Sequence, residues 1–532
     1  MLTYFVLTPI VIAVFLYLFS SNKTSRIIAI VLQAVFTGFA VYLLLQTRQL
    51  GEVITFVGNY EGLLGVVLRA DMMAAAFVLL TTVLFLVVSI YSLHEDNSKL
   101  FWLLMFIWEG ILIGIFLSRD FFNVFVLAEV ATVVVAVLIM YDKGKRSMFD
   151  GLVFLMANTV AIQFYLFGIG YIYFLTGVLD MQVAAAFIAN LDREVLILPY
   201  ALLMTAIAFK AAIIPLYSWL PKVQGIPRAP SAVAALLSGL HVKSAIYLFI
   251  RFQDVFAPVA STEFFLIIGL ITAVVGVIMA VSQVDIKLLL AYSSTAQVGL
   301  IIAGLSIGDA YSYIGSLYHM INHALFKVAL FLIAGVLEDM YGTRDMRKIN
   351  GIFKKDKYIG IAIVLAILGI TGAPLFNGNV SKYFIMSGAD TVVNTVMILI
   401  NLGTILVSIR FAAMLFGQAD ESFVGKKTAK SSDISIYFLG VLCFVGGIFG
   451  EEIMSFLFNV HFQMSFYGFI EKLIILTASW IVGLLVYRYV LRGDRNYKIF
   501  RRIRAIDLNF RGICFSIGAF FVVILAVVGF LY

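Results

Sequence analysis

Apolar runs of about 17–25 residues, separated by short polar segments, recur along the whole chain. Each is long enough to cross a hydrocarbon core of about 30 Å as a helix. In lipid, only helices and closed barrels satisfy their own backbone hydrogen bonds. The pattern predicts an all-α polytopic membrane protein with 14–16 transmembrane helices, at roughly 2–20, 27–47, 72–93, 100–118, 121–141, 150–178, 196–220, 231–252, 263–282, 287–306, 310–337, 357–388, 391–417, 433–457, 470–491 and 510–531. No stretch remains for a soluble domain, so residues 1–532 read as a single membrane domain. The first run starts at Leu2 without a basic leader or a small-residue cleavage site and reads as a span, not a signal peptide. The run 150–178 is long enough to hold a bend, and 357–388 is expected to break at "TGAPLFNGN". The segment 51–70, "GEVITFVGNYEGLLGVVLRA", places glycines at turn-like intervals among β-branched residues and predicts a short external β-hairpin.

Composition agrees: 63% of residues are hydrophobic and 13% charged, where a soluble domain carries about 25% charged residues. The net charge of +7 follows a pattern. Lys23 and Arg26, then Lys143, Lys145 and Arg146, then "RDMRKINGIFKKDK", Lys426, Lys427 and Lys430, and finally "RGDRNYKIFRRIR" all fall on one side if the N-terminus lies outside. The positive-inside rule then puts both termini on the outer face of a cytoplasmic membrane and accounts for the basic balance without nucleic acid. Cys443 and Cys514 sit in apolar runs without ligand spacing, which excludes iron–sulfur, zinc and disulfide roles. There is no phosphate loop and no GxGxxG, so neither ATP hydrolysis nor dinucleotide binding is expected. No metal or cofactor is expected in this chain.

Nine titratable residues remain inside the spans: Glu109, Glu129, Lys210, His241, Lys243, His319, His323, Lys327 and Lys382. Each lysine or acid at a helix centre costs about 2.5–3.5 kcal/mol, so the four lysines alone cost about 10–14 kcal/mol. Such groups belong in a wet or paired interior. In "YHMINHALFKVAL", His319, His323 and Lys327 stand at i, i+4 and i+8 and form one stripe of about 12 Å. A lone histidine would read as a polar seam between helices, whereas three titratable groups on one face read as a proton path. Lys243 has Ser244 and Tyr247 nearby; His241, two residues earlier, points away from it and fits a structural hydrogen bond as well as a pathway. Glu129 is the one acid in "NVFVLAEVATVVV". With a lysine at about 4 Å and an effective dielectric near 20 it gains about 4 kcal/mol, enough to hold a buried lysine charged until the two separate. Pro215 and Pro374 interrupt two helices that carry Lys210 and Lys382. Two broken, lysine-bearing helices suggest two related half-units, a transporter pattern.

Longer motifs carry a resemblance. "FKAAIIPLYSWLPKVQGIPRAPSAVAALLSGLHVKSAIYLFIRF", with "DFFNVFVLAEV", "DIKLLLAYSSTAQVGLIIAGL", "YHMINHALFKVALFLIAGVL" and "ITGAPLFNGNVSKYF", resembles the antiporter-like membrane subunits shared by respiratory complex I, Mrp-type multisubunit Na⁺/H⁺ antiporters and membrane-bound hydrogenases. "VGNYEGLLGVVLRAD" is similar to the external hairpin of that family, and the resemblance covers about residues 50–415. It implies two inverted five-helix repeats, 100–252 and 263–417, with discontinuous seventh and twelfth helices and additional C-terminal helices over 433–531. It also implies that Glu129 and Lys210 form the acid–base pair, that Lys243 links them to the centre, that His319, His323 and Lys327 form the central relay, and that Lys382 is the exit-side lysine. Glu109 and His241 have no counterpart in the pattern and stand as accessory candidates. For Glu109 three roles are open: a second partner for a lysine, part of a cation route, or a contact with another subunit.

The implied function is proton translocation along a buried Glu/Lys/His axis, with H⁺/Na⁺ exchange as a variant, inside a multisubunit complex in the lipid bilayer. Lysines suit protons and repel Na⁺, so Na⁺ would be handled by Glu109, Glu129 or another subunit. Iron–sulfur, flavin or nickel–iron centres would belong to partner subunits. The competing reading is a non-conducting structural subunit of a membrane-bound hydrogenase or oxidoreductase complex, which predicts missing charges; none of the family's central charges is missing. No long lateral amphipathic helix is read after the last spans, which sets the chain apart from the largest subunit type of the family. The residues leave open which of the three complexes it serves.

Overall fold

The computed structural model describes residues 1–19, 22–59, 65–95, 97–226, 230–418, 428–491, 494–506 and 508–531. Among them, 13 helices are long and apolar enough to cross a membrane. The apolar helix Leu2–Phe19 and two interrupted helices bring the crossings to sixteen, the upper count expected from the sequence. The expected hairpin forms. Val53–Phe56 pairs antiparallel with Val67–Ala70, Val53 opposite Ala70, and Leu68 bridges to Ser118 at the end of the helix Lys99–Leu117. Its tip, residues 60–64, and the loop lysines Lys426 and Lys427 lie outside the described residues.

Four elements differ from expectation. Lys145–Thr176 runs as one continuous helix, because it contains no proline and its glycines alone do not break it. Met181–Ile188 is a short helix in a segment expected to be loop, capped by the Asp180 carboxylate, which accepts from the Gln182 and Val183 amides at 3.0 Å each. Eight residues are too few for a spanning pattern to reveal it. The span Ser231–Val255 contains a π-helical turn at Leu237–His241, with no proline to announce it. Asp494–Arg504, expected only as loop charge, is a basic helix with Arg501, Arg502 and Arg504 in its last turn.

Both expected breaks are present and resemble each other. The helix Arg193–Lys210 stops at its lysine, Ala212 adopts a left-handed conformation (φ 57°), and the chain resumes at Trp219–Gln224. Lys357–Thr371 stops at Gly372 (φ 77°), passes Leu375 (φ 67°), and resumes at Asn377–Ser387. Each break is closed by the same wide turn: Ile213 N–H donates to Ala208 O at 3.0 Å, and Ala373 N–H donates to Leu368 O at 3.0 Å. A second pair of matching features lies at the helix ends. Asp120 bridges Asp180, and Asp285 bridges Asp345 at the same chain spacing. Each bridge carries an arginine–aspartate ion pair at 2.7 Å, Arg119 with Asp180 and Arg344 with Asp285. Five crossings separate the two bridges, so they lie at opposite faces of the bundle.

The helices Thr262–Ser282 and Ile286–Leu305 approach through glycines. A methyl group on Gly299 would stand 2.3 Å from the Ala273 nitrogen and 2.5 Å from the Gly269 oxygen, so the backbones themselves are in contact.

Candidate functional site

The intramembrane charges gather into a polar line through the middle of an apolar bundle. Lys243, His319, His323 and Lys327 have no exposed surface, and Lys210, His241 and Lys382 are buried. Glu129 is partly buried. Among the described residues, no carboxylate forms an ion pair with any of these four lysines. Hydroxyls, amides and backbone carbonyls hold them instead.

At one end, the Lys210 ammonium donates to Thr132 Oγ1 at 3.2 Å and to Asn158 Oδ1 at 3.5 Å. Thr132 stands one turn beyond Glu129 on the helix Phe121–Ile139. Glu129 and Lys210 are electrostatic neighbours, yet the contact pair that the sequence suggested is open here, and among the described residues Glu129 Oε1 has no hydrogen-bond partner. Lys210 occupies the last position of its half-helix, where backbone carbonyls lose their helical donors; Trp219 Nε1 donates to the Phe209 carbonyl at 2.8 Å and covers one of them.

The middle of the line is built around Ile286–Leu305. Lys243 donates to the Ser238 carbonyl inside the π-helical turn, and the Ser238 hydroxyl meets the Ser294 hydroxyl at 2.8 Å. Lys327 donates to the Leu290 carbonyl at 2.9 Å and to the Ser293 hydroxyl. Two neighbouring serines of one helix therefore serve the two central lysines, Ser293 by direct contact with Lys327 and Ser294 through Ser238. From Lys327 the stripe continues as expected: the rings of His323 and His319 lie 6.3 Å apart. Among the described residues, neither His323 nitrogen has a hydrogen-bond partner. His319 Nε2 donates to Gln297 Oε1 at 3.0 Å, leaving Nδ1 as an acceptor 2.9 Å from the Ser381 hydroxyl. That hydroxyl has a single proton and a second acceptor, the Asn377 carbonyl at 3.1 Å.

Ser381 lies beside Lys382 on the half-helix after the second break. The Lys382 ammonium donates to the Ile370 carbonyl at 2.6 Å, at the open end of the preceding half-helix, and to Asn401 Oδ1 at 2.7 Å. A cavity of about 30 Å³, shared with Asn379, Tyr383 and Lys472, adjoins it and has room for water.

Two accessory candidates sit off this line. Glu109 is fully buried, and Gln33 Nε2, which also reaches the Thr82 carbonyl, donates to it at 2.5 Å. It therefore faces the helices Asn22–Leu50 and Met72–Tyr91, not a lysine. His241 packs against Trp108 at 5.9 Å and lies within electrostatic reach of Lys210.

Two cavities flank the line without reaching Lys243 or Lys327. One opening is a cavity of about 520 Å³ that includes Glu95, Asp142, Lys287, Glu338 and Asp339. Lys287, 2% exposed, pairs there with Glu338 at 2.7 Å, one turn before Leu290. Burial lifts the Glu95 carboxyl above its ordinary range, opposed by a hydrogen bond from Asn97. Toward the hairpin, a cavity of about 180 Å³ reaches Tyr247, one turn from Lys243, but not Lys243 itself. Phe77, Phe116 and Tyr247 contact one another at 5.2–5.9 Å, and Arg251 caps the Tyr247 ring at 4.8 Å while pairing with Asp71 at 2.6 Å.

Sequence reading found all the charges of the line but none of its uncharged members: Thr132, Asn158, Ser238, Ser293, Ser294, Gln297, Ser381 and Asn401. Gln297 was the most accessible signal, an amide in the centre of the span 287–306.

Comparison with known proteins agrees with this architecture. The family described as NADH:quinone oxidoreductase/Mrp antiporter, TM, matches residues 118–408. A Na⁺/H⁺ antiporter subunit of Alkalihalophilus pseudofirmus is 31% identical over 401 residues, 72% of this chain and 79% of that one. An NADH-quinone oxidoreductase subunit of Desulforudis audaxviator is 34% identical over 303 residues, 56% of this chain and 59% of that one. One chain of the Mrp complex from Dietzia sp. DQ12-45-1b shares the fold, with a TM-score of 0.80 at 20% identity over 91% of this chain and 99% of that chain. A match across more than half of its length, and a relative aligned along most of it, make this chain a member of the NADH:quinone oxidoreductase/Mrp antiporter membrane family.

Proposed function

We propose that the chain is the proton-translocating, antiporter-like subunit of a multisubunit membrane complex, and that protons move along the line from Lys210 through Lys243, Lys327, His323 and His319 to Lys382. The observation that carries this reading is the way the four buried lysines are held. Each donates to neutral acceptors; Lys243, Lys327 and Lys382 can release a proton without stranding a buried counter-ion, and Lys210 has the Glu129 carboxylate nearby as its modulator. A structural seam would favour fixed ion pairs, such as those at the helix ends.

The chemistry follows from the geometry. Lys210 has two candidate settings, the Thr132–Asn158 cradle that it occupies and the Glu129 carboxylate that acts on it electrostatically. Moving between them changes the positive field on the central groups and biases where the next proton resides. Serine hydroxyls accept and donate at once, so Ser294 and Ser293 suit the transfer between Lys243 and Lys327. The acidic cavity around Lys287 is the uptake mouth, and the aromatic cluster at Tyr247 stands between Lys243 and the hairpin-side cavity, which leaves Lys382 as the outlet. The two half-units, 100–252 and 263–417, are inverted repeats; the matching breaks and bridges support this, as does their placement on opposite faces. Both termini lie on the outer face, and the relatives' names support other membrane subunits as partners. Any iron–sulfur or nickel–iron centre that drives the complex belongs to those partners. The proton is the ion, and exchange with Na⁺ would need Glu129 or a partner.

The test is proton flux in vesicles holding the intact complex. Lys210→Ala and Glu129→Ala should each abolish flux while the complex still assembles. Full flux in both variants overturns the reading.

A further inference from the structure

We propose that Lys472 is the releasing group of the proton path: it takes the proton from Lys382 through the cavity that the two lysines share and gives it up at the hairpin face. The inference rests on the proton line proposed above and adds a member to it. Lys472 stands on the helix Phe466–Val486, beyond the residues 118–408 that match the family. It lies near the start of the span expected at 470–491, where a lysine reads as an end charge.

Its position continues the line. Both lysines line the cavity of about 30 Å³, with Asn379, Asn401 and Tyr383 around it. The Lys472 ammonium lies 3.4 Å from the Met386 sulfur. Met386 is one turn beyond Lys382 on Asn377–Ser387, about 6 Å further along the helix axis, and that helix ends one residue later. The helix end adjoins Asp309, whose carboxylate a methyl group on Gly388 would strike. Asp309 follows the helix Ile286–Leu305, which crosses from the face of the Asp285–Asp345 bridge to the hairpin face. Lys472 is therefore one turn nearer that face than Lys382, and only partly buried.

Its bonding leaves the proton exchangeable. An ammonium has three donors. Lys382 uses two of them, on the Ile370 carbonyl and on Asn401 Oδ1. Lys472 donates to a thioether, a weak acceptor, and among the described residues it forms no ion pair. The exposed Glu471 carboxylate acts on it electrostatically, without a contact. A lysine with a structural task would be held by a carboxylate, as Lys287 is by Glu338 at 2.7 Å. Once Lys472 has released its proton to water at the face, its neutral amine takes the next one. A water in the cavity accepts a proton from the Lys382 ammonium and passes one of its own to Lys472. One N–H bond breaks at Lys382, one forms at Lys472, and the charge moves outward by one turn.

The test is proton flux in vesicles holding the intact complex. Lys472→Met and Lys472→Arg should each bring flux below about one-tenth of the unsubstituted rate. Methionine removes the exchangeable group, and arginine keeps the charge but does not give up its proton. Lys472→Gln takes the place of Lys472→Met should the latter fail to assemble. Full flux in Lys472→Arg would make the residue a fixed charge and overturn the proposal. Full flux in Lys472→Met would also overturn it, because Lys382 would then release its proton without help. Lys210→Ala in the same vesicles separates the two readings. Flux lost there but complete in Lys472→Met removes Lys472 alone from the path, whereas full flux in Lys210→Ala removes the line itself and this proposal with it.

Discussion

His323 shows what a buried titratable residue looks like when the surrounding structure does not need it. Among the described residues neither nitrogen has a hydrogen-bond partner, its edge rests on Phe326 at 5.5 Å, and it is wholly enclosed. No hydrogen bond from its ring ties His323 to a neighbouring element among the described residues, so a structural role is a poor account of it. His323→Leu should therefore leave the thermal midpoint of the complex unchanged or raised, while proton flux falls at least tenfold. A large loss of stability with flux preserved would return the residue to the structural reading. At this scale the sequence was readable through charge. The nine charged positions stand out because each is expensive in hydrocarbon. Thr132, Ser293 and Ser294 do not, because a hydroxyl can bond to its own helix, as Ser294 does to Leu290 O at 3.0 Å. Nor does the sequence show that Glu109 turns toward Gln33, because that depends on which helix covers which face.

Helices set the spacing that these residues need. The breaks at Ala211–Ile213 and Gly372–Phe376 were legible through Pro215 and Pro374; the first ends its half-helix at Lys210, and the second leaves the Ile370 carbonyl to accept from Lys382. The π-helical turn that cradles Lys243 was not legible, because an extra residue in a helical turn leaves no compositional mark. Between the half-units, Thr262–Ser282 and Ile286–Leu305 touch backbone to backbone at Gly269, Gly276 and Gly299. Ile286–Leu305 also carries Ser293, Ser294 and Gln297, so this contact holds the centre of the line in place. Gly299→Leu can be accommodated only by separating the helices, because the neighbouring atoms are main chain. A loss of about 1–3 kcal/mol or more is expected, read as a lowered thermal midpoint and reduced recovery of folded protein. Gly38→Leu, with open space around its Cα, is the control and should change neither.

Across the whole molecule, the proposed path is one line of exchangeable groups that crosses both half-units. Length and apolar spacing were enough to find the crossings, and the hairpin followed from its turn residues. The short helices Met181–Ile188 and Asp494–Arg504 escaped because neither is long enough to span nor apolar enough to stand out. How the halves meet was also hidden, since it depends on contacts between residues far apart in the chain. Lys243 is where they meet: it belongs to the first half, and its cradle touches Ser294 of the second. The most direct test of a single line is the rate of proton flux in vesicles containing the assembled complex with Lys243→Leu, which keeps the volume and removes the exchangeable group. The account predicts flux below about one-tenth of the unsubstituted rate, near the 1.4 kcal/mol scale of a tenfold change. Full flux in an assembled Lys243→Leu complex would contradict it.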